Sequence, residues 1–339
     1  MSPPTDPMLR IHAAPFLKRD VSTPGLMRDV LLALVPVLLV SIWYFGLSVL
    51  LVVLAAVLGA LGTEWLFGPT PRGHTLLDGS VLLTGILLGL TLPPALPLWM
   101  AFLGGVAGVG LGKIVWGGLG HNLFNPALLG RAFLQAAFPT ALTTWAPQQA
   151  GHLLQIHPAN LALPLMHGKV DAITAATPLA QMKFEHAATA WPALLAGNTA
   201  GSLGETSAAV LIVCGIYLAA RRVFDWRIPV SIVLAVLVFS GLLYILAPQR
   251  FPTPWFMLFS GGLLFGAVFM ATDPVTSPLA PRGAWIFGLG IGFLVVLIRL
   301  FGGLPEGVMY AILLMNAATP LLERVDQPRA FGHRRRGNA

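Results

Sequence analysis

From Asp29 to Leu322 the chain is a succession of apolar runs joined by short polar segments, each close to the roughly 20 residues that an α-helix needs to cross a bilayer core. The runs fall near 29–45, 47–66, 77–95, 97–115 and 123–143, and again near 204–221, 228–247, 255–272, 284–301 and 304–322. Backbone N–H and C=O groups find no water in lipid, so runs of this kind must close their own hydrogen bonds as helices. The pattern predicts an all-α integral membrane protein of about ten transmembrane helices. Pro93, Pro94 and Arg131 interrupt the third and fifth runs. Charged residues make up 10 % of the 339, against about 25 % in a soluble domain. With 56 % hydrophobic residues and a mean hydropathy of +0.79, a soluble enzyme is excluded.

The basic residues orient the runs, because Lys and Arg accumulate on cytoplasmic loops. With both termini inside, 15 of the 20 fall on the cytoplasmic side, Arg72, Lys113, Arg221, Arg222, Arg227 and Arg282 among them. Lys169 and Lys183 fall in the long central loop, Arg250 and Arg299 in short outer ones, and Arg131 within the fifth run. The net charge of +7 is therefore a topology signal. It is scattered over short loops rather than gathered on one face, which argues against a nucleic-acid partner. The tail Arg334-Arg335-Arg336 suits anionic lipid. The first 28 residues lack the apolar core of a signal peptide, so no cleaved leader is expected.

An internal repeat divides the chain. Leu82-Leu83-Thr84-Gly85 through Thr91-Leu92-Pro93 to Pro97-Leu98 aligns at a constant offset with Leu263-Leu264-Phe265-Gly266 through Thr272-Asp273-Pro274 to Pro278-Leu279, seven of seventeen positions being identical. Gly117-Gly118-Leu119 likewise matches Gly302-Gly303-Leu304. A unit of five helices places its two copies upside down, the inverted repeat of many transporter folds. The expected organisation is a cytoplasmic segment 1–28, a first repeat 29–143, an extracytoplasmic loop 144–203, a second repeat 204–322 and a basic cytoplasmic tail 323–339.

Chemistry-bearing residues are few. Cys214 stands alone in an apolar run, so the chain cannot build a disulfide, an iron–sulfur cluster or a cysteine zinc site by itself, and no metal site is expected. None of the eight histidines lies mid-span, which argues against a bis-histidine membrane haem. Asn125-Pro126 and Thr177-Pro178 each have the form of a helix start, with a side-chain cap followed by Pro at the first helical position. A plain cap explains both, and a helix N-terminus can also receive an anionic or carbonyl ligand. Ser202 with Glu205 three residues on has the spacing of a capping box. Arg131, one turn into its span, must face a polar interior or a partner. Asp273 and Glu306 stand at membrane boundaries, where an ion path and ordinary helix-end solvation both account for an acid. Nothing marks a catalytic residue, and there is no nucleotide-binding glycine loop.

Six ordered motifs, HNLFNPALLGRAFL, DAITAATPL, GSLGETS, RRVFDWRIPVS, MATDPVTSP and GGLPEGVMYAILLMNAATPL, together resemble one family over about Asp29 to Leu322. It is the family of RnfD, a membrane component of Rnf electron transport complexes, and of its relative NqrB, from the sodium-pumping NADH:quinone reductases. The resemblance implies flavin mononucleotide joined by a phosphoester to Thr177, the last residue of Thr174-Ala175-Ala176-Thr177, where Ala175 replaces the usual glycine. Asp171 and Thr174 would belong to that cofactor site, and Arg131 is a further candidate for cofactor contact. A second, noncovalent flavin, riboflavin, is implied between the repeats toward the cytoplasm, near Asn122, Asn125 and Asp273. Asp273 and Glu306 are the candidates for an ion path.

The implied role is electron relay in a bacterial inner-membrane complex, between ferredoxin and NAD, coupled to Na⁺ or H⁺ movement. The implied partners are RnfA, RnfB, RnfC, RnfE and RnfG, with electron exchange involving the FMN of RnfG and membrane iron–sulfur subunits. Two alternatives stand beside this one. The chain would serve a quinone reductase in the manner of NqrB, or, on the inverted repeat alone, would be a flavin-free solute channel or transporter.

Overall fold

The computed structural model describes residues 22–68, 76–148, 150–164, 175–187 and 189–325, so that Asp171 and Thr174 lie outside the described residues. Among the described residues all regular structure is helical. The first set comprises α1 (Thr23–Phe45), α2 (Ser48–Phe67), α3 (Ser80–Leu90), α4 (Leu98–Val109, prolonged by a π turn over Gly110–Ile114) and α5 (Pro126–Ala137). The second comprises α6 (Ala208–Arg221), α7 (Arg227–Leu246), α8 in two pieces (Pro254–Phe259, then Leu263–Phe265 with a π turn over Gly266–Met270), α9 (Pro281–Phe301) and α10 (Val308–Val325). Helices α1, α2, α7 and α9 are long and apolar enough to cross a membrane, while α3, α4 with its π turn, and α6 are apolar but shorter. These lengths and compositions mark a multi-pass helical membrane protein.

Two runs that hydropathy presents as continuous are broken. Before α3 the chain turns through Gly79 at φ +79°, and within α8 through Gly261 at φ +64°, a left-handed conformation that costs glycine nothing. The first break is held by Asp78, whose carboxylate accepts from the Ser80 amide (2.7 Å) and hydroxyl (2.6 Å). α3 then ends at Thr91, ahead of Pro93 and Pro94, which have no N–H to continue it.

Within the first set α2 packs most extensively on α4 and also on α3, and α4 on α5; within the second, α7 packs on α9 and α8, and α9 on α10. The sets meet where α1 touches α6 and α5 touches α10. The tightest approaches rely on absent side chains, since a methyl group on Gly105 would run into the Ala56 carbonyl oxygen. Lipid supplies no hydrophobic drive between helices, so such close backbone contact is what van der Waals packing must use. One apolar core, with Phe45, Phe265 and Phe287 fully enclosed, joins both sets. Cys214 is buried in it.

Charges assigned to loops by the Lys and Arg count turn out to be buried at the helix breaks. Lys113 is carried inward by the π turn that prolongs α4, and its Nζ lies 3.0 Å from Glu64 Oε1 of α2 and 3.0 Å from Ser80 Oγ at the α3 break. Arg299 occupies the last turn of α9 and donates to the carbonyls of Met257 (2.6 Å) and Ser260 (2.9 Å) at the α8 break. In each set a cation from the fourth helix thus fastens the interruption in the third.

Candidate functional site

Thr177 lies on the wall of a cavity of about 450 Å³ bounded by α5, the turn before α6, the α8 break and the segment leading into α10. Its hydroxyl accepts from the Ala180 amide at 3.2 Å and so caps the short helix Pro178–Ala180, which runs on as a π turn through Gln181–Glu185. The fixed φ of Pro178 suits the first helical position. Lys183, on the same segment, donates to the carbonyls of Arg299, Gly302 and Leu304 at distances between 2.5 and 3.1 Å. A cation at the C-terminal end of α9 opposes the helix dipole, and the Thr177 segment is thereby tied to the second helix set. Partial burial lowers the pKa of Lys183 from its ordinary value.

Across the cavity stand Arg131, Glu205 and Glu306. Arg131 projects from α5 with Nη2 3.1 Å from Glu306 Oε2 and Nη1 3.8 Å from Glu205 Oε1. The other oxygen of Glu306 accepts from the Gly262 amide at 2.6 Å, at the start of the second piece of α8. One guanidinium therefore joins two acids from segments about a hundred residues apart. The capping box expected of Ser202 and Glu205 forms only in part, the Glu205 carboxyl reaching back to Ser202. The Ser202 side chain makes no capping bond, and α6 is capped instead by Ser207, which accepts from the Val210 amide. Glu205 sits in a 3-10 turn, Leu203–Glu205, ahead of α6, and faces Arg131 as well as Ser202.

A second cavity, about 90 Å³, lies between α3, α4, the start of α5 and the end of α8, and includes Asn122, Asn125, Lys113 and Asp273 in its lining. Asn125 caps α5 as expected, its Oδ1 accepting from Ala127 (3.0 Å) and Leu128 (3.3 Å). Its Nδ2 also donates to the Met270 carbonyl at 3.1 Å, a bond between the two helix sets. Asn122 is buried, and its Oδ1 has no partner among the described residues. Asp273 closes a turn by accepting from the Val275 amide (3.3 Å) and the Thr276 hydroxyl (3.2 Å). No group of three or more metal-ligating side chains occurs among the described residues.

The model of the NQR2, RnfD, RnfE family matches residues 10–332. The chain belongs to that family. Among curated members, the D subunit of the proton-translocating ferredoxin:NAD(+) oxidoreductase complex of Clostridium ljungdahlii is 39% identical, over 96% of this chain and 96% of its own. The D subunit of the ion-translocating oxidoreductase complex of Sodalis glossinidius is 39% identical over 96% and 99%. The protein of the same description from Stutzerimonas stutzeri is 41% identical over 93% and 94%.

In this member of the NQR2, RnfD, RnfE family the structure brings Thr177, Arg131 and Glu306 to one cavity, and Asn122, Asn125 and Asp273 to the other. Motif reasoning missed Glu205, because its spacing from Ser202 satisfied a local explanation. It also missed Glu64, Lys113 and Arg299 as buried groups. Their one sequence signal was a formal charge within or beside an apolar run, which demands an internal partner without naming it.

Proposed function

We propose that this chain is the RnfD-type membrane subunit of an Rnf complex, relaying electrons between ferredoxin and NAD through FMN carried on Thr177, with coupled Na⁺ or H⁺ translocation. Family membership and the names of its relatives support the complex. The observation that carries the flavin is the position of Thr177 on a cavity whose volume falls in the range of small-molecule sites and whose polar groups converge from three segments. FMN, when bound, exchanges one or two electrons at a time. The chain contributes the Thr177 hydroxyl as the ester oxygen, Lys183 to fix the segment that bears it, and Arg131 with Glu205 and Glu306 as the polar wall. Asp171 and Thr174 complete the attachment motif.

The reading includes ten spanning helices in two inverted repeats, 29–143 and 204–322, with both termini (1–28 and 323–339) cytoplasmic and the 144–203 loop in the periplasm of a bacterial inner membrane. Its support is that equivalent helices meet between the sets, first with first and fifth with fifth, as a pseudo-two-fold axis requires. RnfA, RnfB, RnfC, RnfE and RnfG are the proposed partners, the FMN of RnfG and membrane iron–sulfur centres the electron-exchange partners. A second flavin, riboflavin, is assigned to the Asn122–Asn125 cavity, where the unpartnered Asn122 Oδ1 offers an acceptor. At about 90 Å³ that cavity must widen to admit it, and no step is routed through it.

Denatured protein run on a gel is expected to fluoresce as flavin, and Thr177→Val to abolish the fluorescence entirely. A dark band from the native, correctly processed protein would remove the attachment and favour a flavin-free channel. For the ion path, Asp273→Asn keeps an acceptor oxygen for the Val275 amide, sets an NH2 group opposite the Thr276 hydroxyl, which can accept from it, and removes the charge. Coupled ion transport by reconstituted complex is expected to fall several-fold with assembly and flavin attachment intact. Undiminished transport would take Asp273 off the path.

A further inference from the structure

We propose that the Glu205–Glu306 pair takes up one proton from water when the flavin carried on Thr177 gains an electron, and releases it when the flavin is reoxidised. This rests on the flavin reading above and adds to it the group that balances charge in the cavity. The geometry is specific. A methyl group on Gly262 would stand 2.6 Å from Glu205 Oε1 and 2.8 Å from Glu306 Oε1, so the two carboxylates crowd one point. Like charges so close resist joint ionisation unless cations compensate.

The compensation here is finite. Arg131 faces the pair from α5, and Arg299 faces it from α9, its Nη2 and Glu306 Oε1 both lying 3.2 Å from where a methyl group on Gly261 would stand. The Gly262 amide faces Glu306 from α8, and Tyr310 of α10 lines the same cavity. Lys183 approaches from the loop, but its ammonium is engaged by three carbonyls. Two guanidinium groups thus match two carboxylates, so among the described residues neither the flavin's ester phosphate nor an added electron meets a free guanidinium, and a proton taken up by the pair offsets one of those charges. Among the described residues lining the cavity there is no other acid and no histidine to receive a proton.

A second observation points to water at the pair. Arg299 Nε and Ser260 Oγ, in side chains more than nine-tenths buried beside Glu306, have no partner among the described residues. Buried polar atoms of this kind are ordinarily satisfied by internal water, which is also what a proton needs to reach the carboxylates.

An iron–sulfur carrier of a neighbouring subunit gives up one electron, which enters the flavin; a hydronium ion gives its proton to the pair, turning two carboxylates into one carboxylate and one carboxylic acid, and leaves water. Reoxidation reverses both transfers.

The test is reduced-minus-oxidised infrared difference spectroscopy on the intact purified complex in H₂O and D₂O, with flavin attachment scored by in-gel fluorescence. A carboxylic-acid C=O band that appears on reduction, shifts in D₂O, and is lost in Glu205→Gln or in Glu306→Gln is expected. In the same variants the flavin potential should depend less on pH, its slope flattening by up to about 59 mV per tenfold change in proton concentration. A fluorescent wild-type protein without the band, or a band unchanged in both variants, overturns the proton-holding pair and leaves the flavin reading standing. A dark wild-type band removes both.

Discussion

Lys113→Met is expected to cost about 3–5 kcal/mol of stability, and adding Glu64→Gln to it to return most of that loss. The two side chains are 3 % and 1 % exposed, and they meet at 3.0 Å. Taking one away leaves a charge in apolar surroundings with nothing to pair it, whereas taking both away exchanges an ion pair for uncharged groups of similar size. Ser80 binds Lys113 and is itself held by Asp78, so the loss should spread to the α3 break. Denaturation midpoints of the purified chain in detergent, read as a double-mutant cycle, should give a coupling of at least about 3 kcal/mol, because each single variant strands a buried charge and the double variant does not. Additive losses would mean that the two residues are independent and that Lys113 does not fasten the break.

Much of this architecture was legible in the sequence, for reasons that also explain what was not. Apolar runs of about 20 residues announce helices because in lipid a segment of that length closes its backbone bonds within itself, and helical segments lie within every run. The caps at Asn125 and Thr177 were legible because capping is decided by neighbours one to three residues away. The breaks were not. Gly79 and Gly261 are two of 37 glycines, and hydropathy averages over both. Nor could spacing reveal that Arg131 holds acids at positions 205 and 306, since ion pairing across helix sets is a property of the packed fold. Glu205 shows the hazard most clearly. A satisfactory local role three residues from Ser202 hid a long-range one, and the hydroxyl that caps α6 belongs to Ser207.

The counterpart of Lys113 in the second helix set leads to the other large effect. At the α8 break the Met257 and Ser260 carbonyls are bonded by the forked guanidinium of Arg299. Hydrogen bonds from a charged donor contribute about 1.5–3 kcal/mol each, so Arg299→Met is expected to cost about 3–6 kcal/mol. Arg299→Lys should fall between the variant and the wild type, because an ammonium restores the charge but not the fixed fork that reaches two carbonyls at once. The α9 end carrying Arg299 also holds Lys183, through the Arg299 carbonyl, so the damage should reach the Thr177 segment. Hydrogen exchange would show it as faster exchange over 178–185 in Arg299→Met than in Arg299→Lys. A Met variant within about 1 kcal/mol of wild type, with unchanged exchange in that segment, would show that the α8 break holds without the guanidinium.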